Sequence, residues 1–142
     1  MGLLDNYTGI GMSPRPKWQH QHVIRHAMHY AYDELEQQGL YMLSEATVSA
    51  NWDDLAPDLV IFDARNKPLS IIEITTHTER LEIIRKCHEL IVRFPDAEYF
   101  VYDYERNVLY AYDAETQEWV DSNEYEIGSR YLQQPLIEYL LP

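Results

Sequence analysis

Two apolar segments joined by a short turn constrain this chain more than any other feature. Leu59-Val60-Ile61-Phe62 lies within a run from Asp58 to Asp63, and Leu69-Ser70-Ile71-Ile72-Glu73-Ile74-Thr75 follows it. Both read as short strands, the second rich in β-branched residues, and Ala64-Arg65-Asn66-Lys67-Pro68 between them has turn composition. Immediately afterwards the period changes. Thr78 to Arg93 is helical, with Leu81, Ile84, Cys87 and Ile91 expected to face inward, and Thr76-His77-Thr78-Glu79 fits a capping box at its start.

Other elements frame this centre. Lys17 to Gln38 predicts a helix stopped by Gly39, with Ile24, Ala27, Met28, Ala31 and Leu35 in one stripe. His20 and Glu34 fall on the edges of that stripe, while His22, His26, His29 and Asp33 fall on the opposite face. Tyr41 to Ala50 predicts a strand, with Asn51, Asp53 and Asp54 turning after it. Glu98 to Tyr104 and Val108 to Tyr112 predict a hairpin turning at Glu105-Arg106-Asn107, and Tyr131 to Leu141 a final short helix. The order α-β-β-β-α-β-β implies an α/β fold, a mixed central sheet flanked by helices.

With 142 residues and 46% hydrophobic content, the expectation is one domain over residues 1–142. Pro14 and Pro16 mark an irregular N-terminal arm over 1–16, and 113–142 forms a C-terminal extension. Cys87 is the single cysteine, which excludes an intrachain disulfide and a cysteine-built zinc site. The apolar runs are far shorter than the roughly 20 residues of a membrane helix. Met1 to Met12 lacks the basic start and apolar middle of a signal peptide, so a soluble, cytoplasmic protein with no membrane partner is expected.

Alternation along a strand sets Asp58, Val60 and Phe62 on one face and Ile71, Glu73 and Thr75 on one face of the next strand. If the two strands are neighbours, Asp58 and Glu73 meet. Two carboxylates in an apolar layer repel unless a cation joins them, and a hard divalent ion with oxygen ligands suits such a pair. Spacing alone also fits a plainer arrangement, with Asp58 in a turn and Glu73 paired with an arginine. His22, His26, His29 and Asp33 have metal-binding spacing, but the outer face of a helix gives an ion no shelter.

Taken together, these residues resemble the PD-(D/E)XK nuclease superfamily and, more narrowly, the short bacterial restriction endonucleases of the Uma type. Ser13-Pro14-Arg15-Pro16 and His20-Gln21 resemble that family's proline-rich lead and His-Gln pair. Pro57-Asp58-Leu59-Val60-Ile61 and Glu73-Ile74-Thr75 resemble its two acidic strands. Glu82-Ile83-Ile84-Arg85-Lys86 is similar to its Asp-Arg-x-x-Lys helix segment, and Glu98-Tyr99-Phe100-Val101-Tyr102-Asp103 to its Glu-Tyr-Trp-x-Val-Asp strand. The likeness runs from about residue 13 to residue 112.

The resemblance implies a restriction-endonuclease-like core and an endonuclease that uses Mg²⁺ (or Mn²⁺), held by Asp58 and Glu73, to cut DNA. Its further site residues would be Lys86, Glu34 and His20, and the helical wheel adds Arg80, near the centre of the apolar face, as a rival to Lys86. Where the superfamily carries a strand lysine this chain has Thr75, so Lys86 from the following helix, or Arg80 in its first turn, would supply the cation. A homodimer would let two sites cut two strands.

The formal charge of −13 opposes bulk attraction to a phosphate backbone. The excess is uneven: residues 94–142 carry Arg106 and Arg130 against eleven acidic residues, whereas nine of the eleven basic residues lie in 1–93. That charge, with Thr75, also suits a second reading, a catalytically weakened nuclease fold that serves as a binding or assembly module.

Overall fold

The computed structural model describes residues 18–45 and 56–141. The proposed N-terminal arm and the turn at Asn51, Asp53 and Asp54 lie outside these residues, as do positions 46–50 of the first predicted strand. In chain order the elements are α1 (Trp18–Gln37), β1 (Tyr41–Ser44), β2 (Leu59–Phe62), β3 (Pro68–Thr75), α2 (Arg80–Arg93), β4 (Glu98–Asp103), β5 (Val108–Asp113), β6 (Glu118–Asp121) and α3 (Ile137–Leu140).

Six strands form one sheet in sequence order, β1-β2-β3-β4-β5-β6. Every neighbouring pair is antiparallel except β3 and β4, which run parallel and are joined by α2. A parallel pair needs a long crossover, and the amphipathic helix supplies it. The sheet is therefore mixed, as expected, with helices on both faces. Val23, Ile24, Ala27, Ala31 and Leu35 of α1 pack with α3 against Leu59, Ile61, Ile72, Ile74, Phe100 and Tyr102. On the other side Cys87 and Leu90 of α2 cover Val60, Phe62, Ile71, Tyr99 and Val101. Odd and even positions of each strand thus enter different cores, which is why both apolar segments lack a polar face.

Local chemistry explains the element ends. Gly39, at φ +75°, stops α1: its amide bonds to the Glu36 carbonyl at 3.0 Å, and the Leu40 amide bonds back to the Leu35 carbonyl at 2.9 Å. This is a Schellman closure, which needs a left-handed residue at that point, and Leu40 then packs on the α1-side core. The β4–β5 hairpin turns where expected. Asp103 Oδ1 accepts the amides of Glu105 and Arg106 at 2.9 and 3.0 Å, and Asn107 takes the left-handed conformation.

Several expectations are corrected in detail. In the capping box the Glu79 amide reaches Thr76 Oγ1 at 3.4 Å, and α2 begins only at Arg80. His77 is tied to the β4–β5 turn, which holds 76–79 as a turn. Leu81 is 65% exposed because the buried stripe centres on Cys87 and includes Ile83 and Leu90 instead. The segment after Asp113 contributes more than an extension: β6 completes the sheet, while Ile127, Leu132, Leu136, Tyr139 and Leu140 enter the α1-side core. The terminal helix spans only Ile137–Leu140. No helix among the described residues is long and apolar enough to cross a membrane.

Candidate active site

Strand pairing decides the site. β2 and β3 pair antiparallel, Leu59 opposite Ile72 and Val60 opposite Ile71. The same register carried one residue further sets Asp58 opposite Glu73, at the point where β2 begins. Each carboxylate is pinned by the other strand's backbone. Glu73 Oε1 accepts the Asp58 amide at 2.9 Å, and Asp58 Oδ2 accepts the Ile74 amide at 2.7 Å. The two side chains converge on the α2 side of the sheet, as alternation required.

Burial in this layer is the first reason that Glu73 is pushed up to about 8. The Asp58 charge beside it is the second, since two adjacent carboxylates resist ionising together. The Asp58 amide and the more distant Lys86 ammonium pull the other way. Cys87 roofs the same spot. Its thiol is raised by burial and then by Glu73 and Asp58, and buried Cys87 is a small apolar packing group here.

Two of the other four candidates, His20 and Lys86, bear on this pair. His20, at the start of α1, places Nε2 3.1 Å from Asp58 Oδ1 and so steadies the carboxylate from the helix side. Lys86 is an exposed residue of α2 whose charge bears on Glu73. Arg80 turns away to a structural contact, donating from Nη1 to the His77 carbonyl at 2.7 Å.

Glu34 is occupied elsewhere. Its carboxylate accepts the Tyr139 hydroxyl at 2.5 Å and the Gln133 amide, tying α1 to the C-terminal segment. Burial, followed by this carboxylate, raises the Tyr139 hydroxyl. His26 of the outer histidine set does the same work, with Nδ1 2.8 Å from the Tyr139 carbonyl oxygen. Among the described residues no group of three or more His, Cys, Asp or Glu side chains is arranged to hold a metal ion, the outer histidines included.

One pair lay outside the sequence-based candidates. Asp103 ends β4, fully buried on the α2 side, and its Oδ2 lies 2.9 Å from His77 Nδ1. Thr75 is its register partner on β3. The signal was present in the sequence, since Tyr99, Val101 and Asp103 share one face of a strand. Only the parallel β3–β4 register shows that the face is shared with Glu73 and Thr75.

No protein-family model matches the sequence, and no curated protein does. Solved structures do match. One is a crystal structure of a "putative nuclease belonging to DUF820" from Anabaena variabilis ATCC 29413, with a TM-score of 0.67 over 92% of this chain and 86% of that one. The likeness is one of fold. Identity is 15%, so side-chain chemistry is not carried across with the backbone. The mixed sheet with flanking helices agrees with the order of elements and with the restriction-endonuclease-like architecture that the sequence resemblance implied.

Proposed function

We propose that the chain is a metal-dependent endonuclease that hydrolyses phosphodiester bonds in DNA, with Asp58 and Glu73 as ligands of Mg²⁺ or Mn²⁺. The observation that carries this reading is the convergence of two carboxylates with too little positive charge beside them. Each is locked in place by a backbone amide, and burial, followed by the Asp58 charge, pushes Glu73 far above the usual carboxylate range. A divalent cation relieves that repulsion, so the residues present fit such an ion. When bound, the ion supplies Lewis-acid chemistry toward water and the phosphoryl oxygens.

The protein's own groups account for the rest. The Ile74 amide and His20 Nε2 hold Asp58 on both sides, and the Asp58 amide holds Glu73, so neither carboxylate reorganises when substrate arrives. Lys86 is the cation aimed at charge developing on the phosphate. With two carboxylates as protein ligands, an oxygen-loving ion keeps open positions for substrate. The structural match to a nuclease fold supports the same class of reaction.

The test is cleavage of supercoiled plasmid with Mg²⁺ or Mn²⁺ by the wild type, Asp58→Ala and Glu73→Ala. Metal-dependent cutting by the wild type, lost in both variants, is expected; cutting that persists in both would refute the assignment. The second reading, a nuclease fold acting as a binding module, draws on Thr75 at the strand-lysine position and on the lack of a three-ligand group among the described residues. Folded wild type that takes up no Mg²⁺ in calorimetry would favour it.

A further inference from the structure

The outward side of α2 is less polar than a helix face turned to water. Leu81 is 65% exposed and Val92 81% exposed, while within the described chain α2 packs on β3 and β4 from the opposite side. At about 100° per residue, Leu81, Val92 and Arg85 fall about 120°, 140° and 160° round the helix from buried Cys87, with Glu89 next at about 200°. One narrow stripe thus carries two apolar side chains and two opposite charges. Arg85 Nη2 comes only to 3.9 Å from the Glu82 carboxylate, beyond hydrogen-bond reach, and both side chains are mostly exposed. The flanks beside the stripe are engaged. His88 accepts the Trp119 indole N–H at 3.1 Å on the β5–β6 side, and Lys86 bears on Glu73 on the other. The stripe is also symmetric along its length. Arg85 and Glu89 stand two residues before and two after Cys87, Leu81 six before and Val92 five after. Turned end for end about that level, the stripe meets its own copy with Leu81 against Val92 and Arg85 against Glu89.

We propose that this stripe is a homodimer contact, in which α2 packs antiparallel on α2 of a second copy. A twofold axis makes every contact twice, so the interface holds two Leu81–Val92 contacts and two Arg85–Glu89 ion pairs. Self-complementary charge is what selects a second copy as the occupant, because a stripe of one sign would repel its own copy. The contact spans about three helical turns, about 16 Å, which is smaller than a permanent interface, so dimer and monomer exchange at micromolar concentration. A twofold axis perpendicular to both helices also keeps each flank on its own side. Both Lys86 side chains, and with them both Asp58–Glu73 pairs, then open on one side of the dimer, where one duplex meets two sites. The dimer is independent of the nuclease reading; its consequence for cutting rests on that reading.

The experiment is sedimentation equilibrium of the full chain in chelator, without DNA. It compares the wild type with Leu81→Glu, Arg85→Glu, Glu89→Arg and the double variant Arg85→Glu/Glu89→Arg, each checked for an unchanged melting temperature. The wild type should dimerise with a Kd of about 10 μM. Leu81→Glu and each single charge reversal should weaken the dimer at least about tenfold, and the double reversal should return it to within about threefold of the wild type, because opposite charges face each other again. Three results overturn the proposal: a wild type still monomeric at about 300 μM, a dimer that Leu81→Glu leaves intact, or a double reversal as weak as either single one. On plasmid with Mg²⁺, the wild-type dimer should yield linear product and Leu81→Glu only nicked circles. Linear product from monomeric Leu81→Glu would overturn the joint placement of the two sites. A wild type that dimerises as expected and cuts nothing refutes the nuclease reading and leaves the α2 contact standing.

Discussion

Glu73→Gln should stabilise the metal-free protein above neutral pH, even though the residue sits at the centre of the proposed site. In the folded chain the Glu73 carboxyl is raised from 4.5 to about 8, burial first and Asp58 second. Between those two values the folded protein holds a proton that the unfolded chain has released. Its contribution is therefore fully present below pH 4.5 and is lost progressively as pH rises to about 8. The slope is about 1.4 kcal/mol per pH unit, giving a ceiling of about 5 kcal/mol across the window. Glutamine removes the ionisation while its carbonyl accepts the Asp58 amide and its amide nitrogen donates to the Asp58 carboxylate. At about 3 °C per kcal/mol for a chain of this size, the variant should melt about 10 °C or more above the wild type at pH 9. The two should converge near pH 5. The assay is thermal unfolding by circular dichroism in chelator from pH 5 to 9, repeated with Mg²⁺. Mg²⁺ should raise the wild type at pH 8 and leave Glu73→Gln where it was. A wild type whose metal-free stability is flat or rising over this window, or a variant whose profile runs parallel to it, would refute the electrostatic argument.

Three further outcomes follow from the geometry. Lys86→Ala should lower kcat about 100-fold, the scale of an electrostatic transition-state contact, with stability unchanged, whereas Arg80→Ala should show mainly in urea unfolding, at about 1 kcal/mol for the lost His77 carbonyl bond; the reverse pattern would exchange their roles. Tyr139→Phe should cost about 1 kcal/mol by releasing the Glu34 carboxylate, while plasmid cleavage continues at the wild-type rate. A Cβ added at Gly39 meets nothing within 4 Å, so Gly39→Ala should cost only the left-handed backbone term, about 1 kcal/mol in the same unfolding assay.

Under the proposed function, an ion held by Asp58 and Glu73 would offset part of the chain's acidic charge where DNA would approach. Some of the other acidic residues serve turns. Asp63 accepts the Lys67 and Arg65 amides, Asp113 the Glu115 amide and Asp121 the Asn123 amide. Backbone donors, with the Lys67 amide foremost, hold Asp63 below the usual carboxylate range. These carboxylates are spent on loop geometry at the edges of the sheet.

Local signals in the sequence were enough for the central elements, though not for β6 or the short terminal helix, and for setting the central pair on one face if the two strands are neighbours. Periodicity and β-branching placed β2, β3 and α2; Gly39 ended α1 because only a left-handed residue closes that helix; and strict alternation put Asp58 and Glu73 on one face. His20 was legible for the same reason, as a polar edge on an apolar stripe. What the sequence could not decide is what depends on partners distant along the chain. Glu34 and His20 occupy equivalent edges of one helix, yet one meets Asp58 and the other meets Tyr139, because β2 starts beneath the first turns of α1 and the C-terminal segment returns beneath the last. Arg80 lies nearer the centre of the α2 stripe than Lys86, but its guanidinium is taken by the His77 carbonyl. The Asp103–His77 pair, set beside Thr75, arises from the parallel register of β3 with β4. Composition, spacing and period are local properties, whereas burial, the raised pKa of Glu73 and the choice of hydrogen-bond partner belong to tertiary packing.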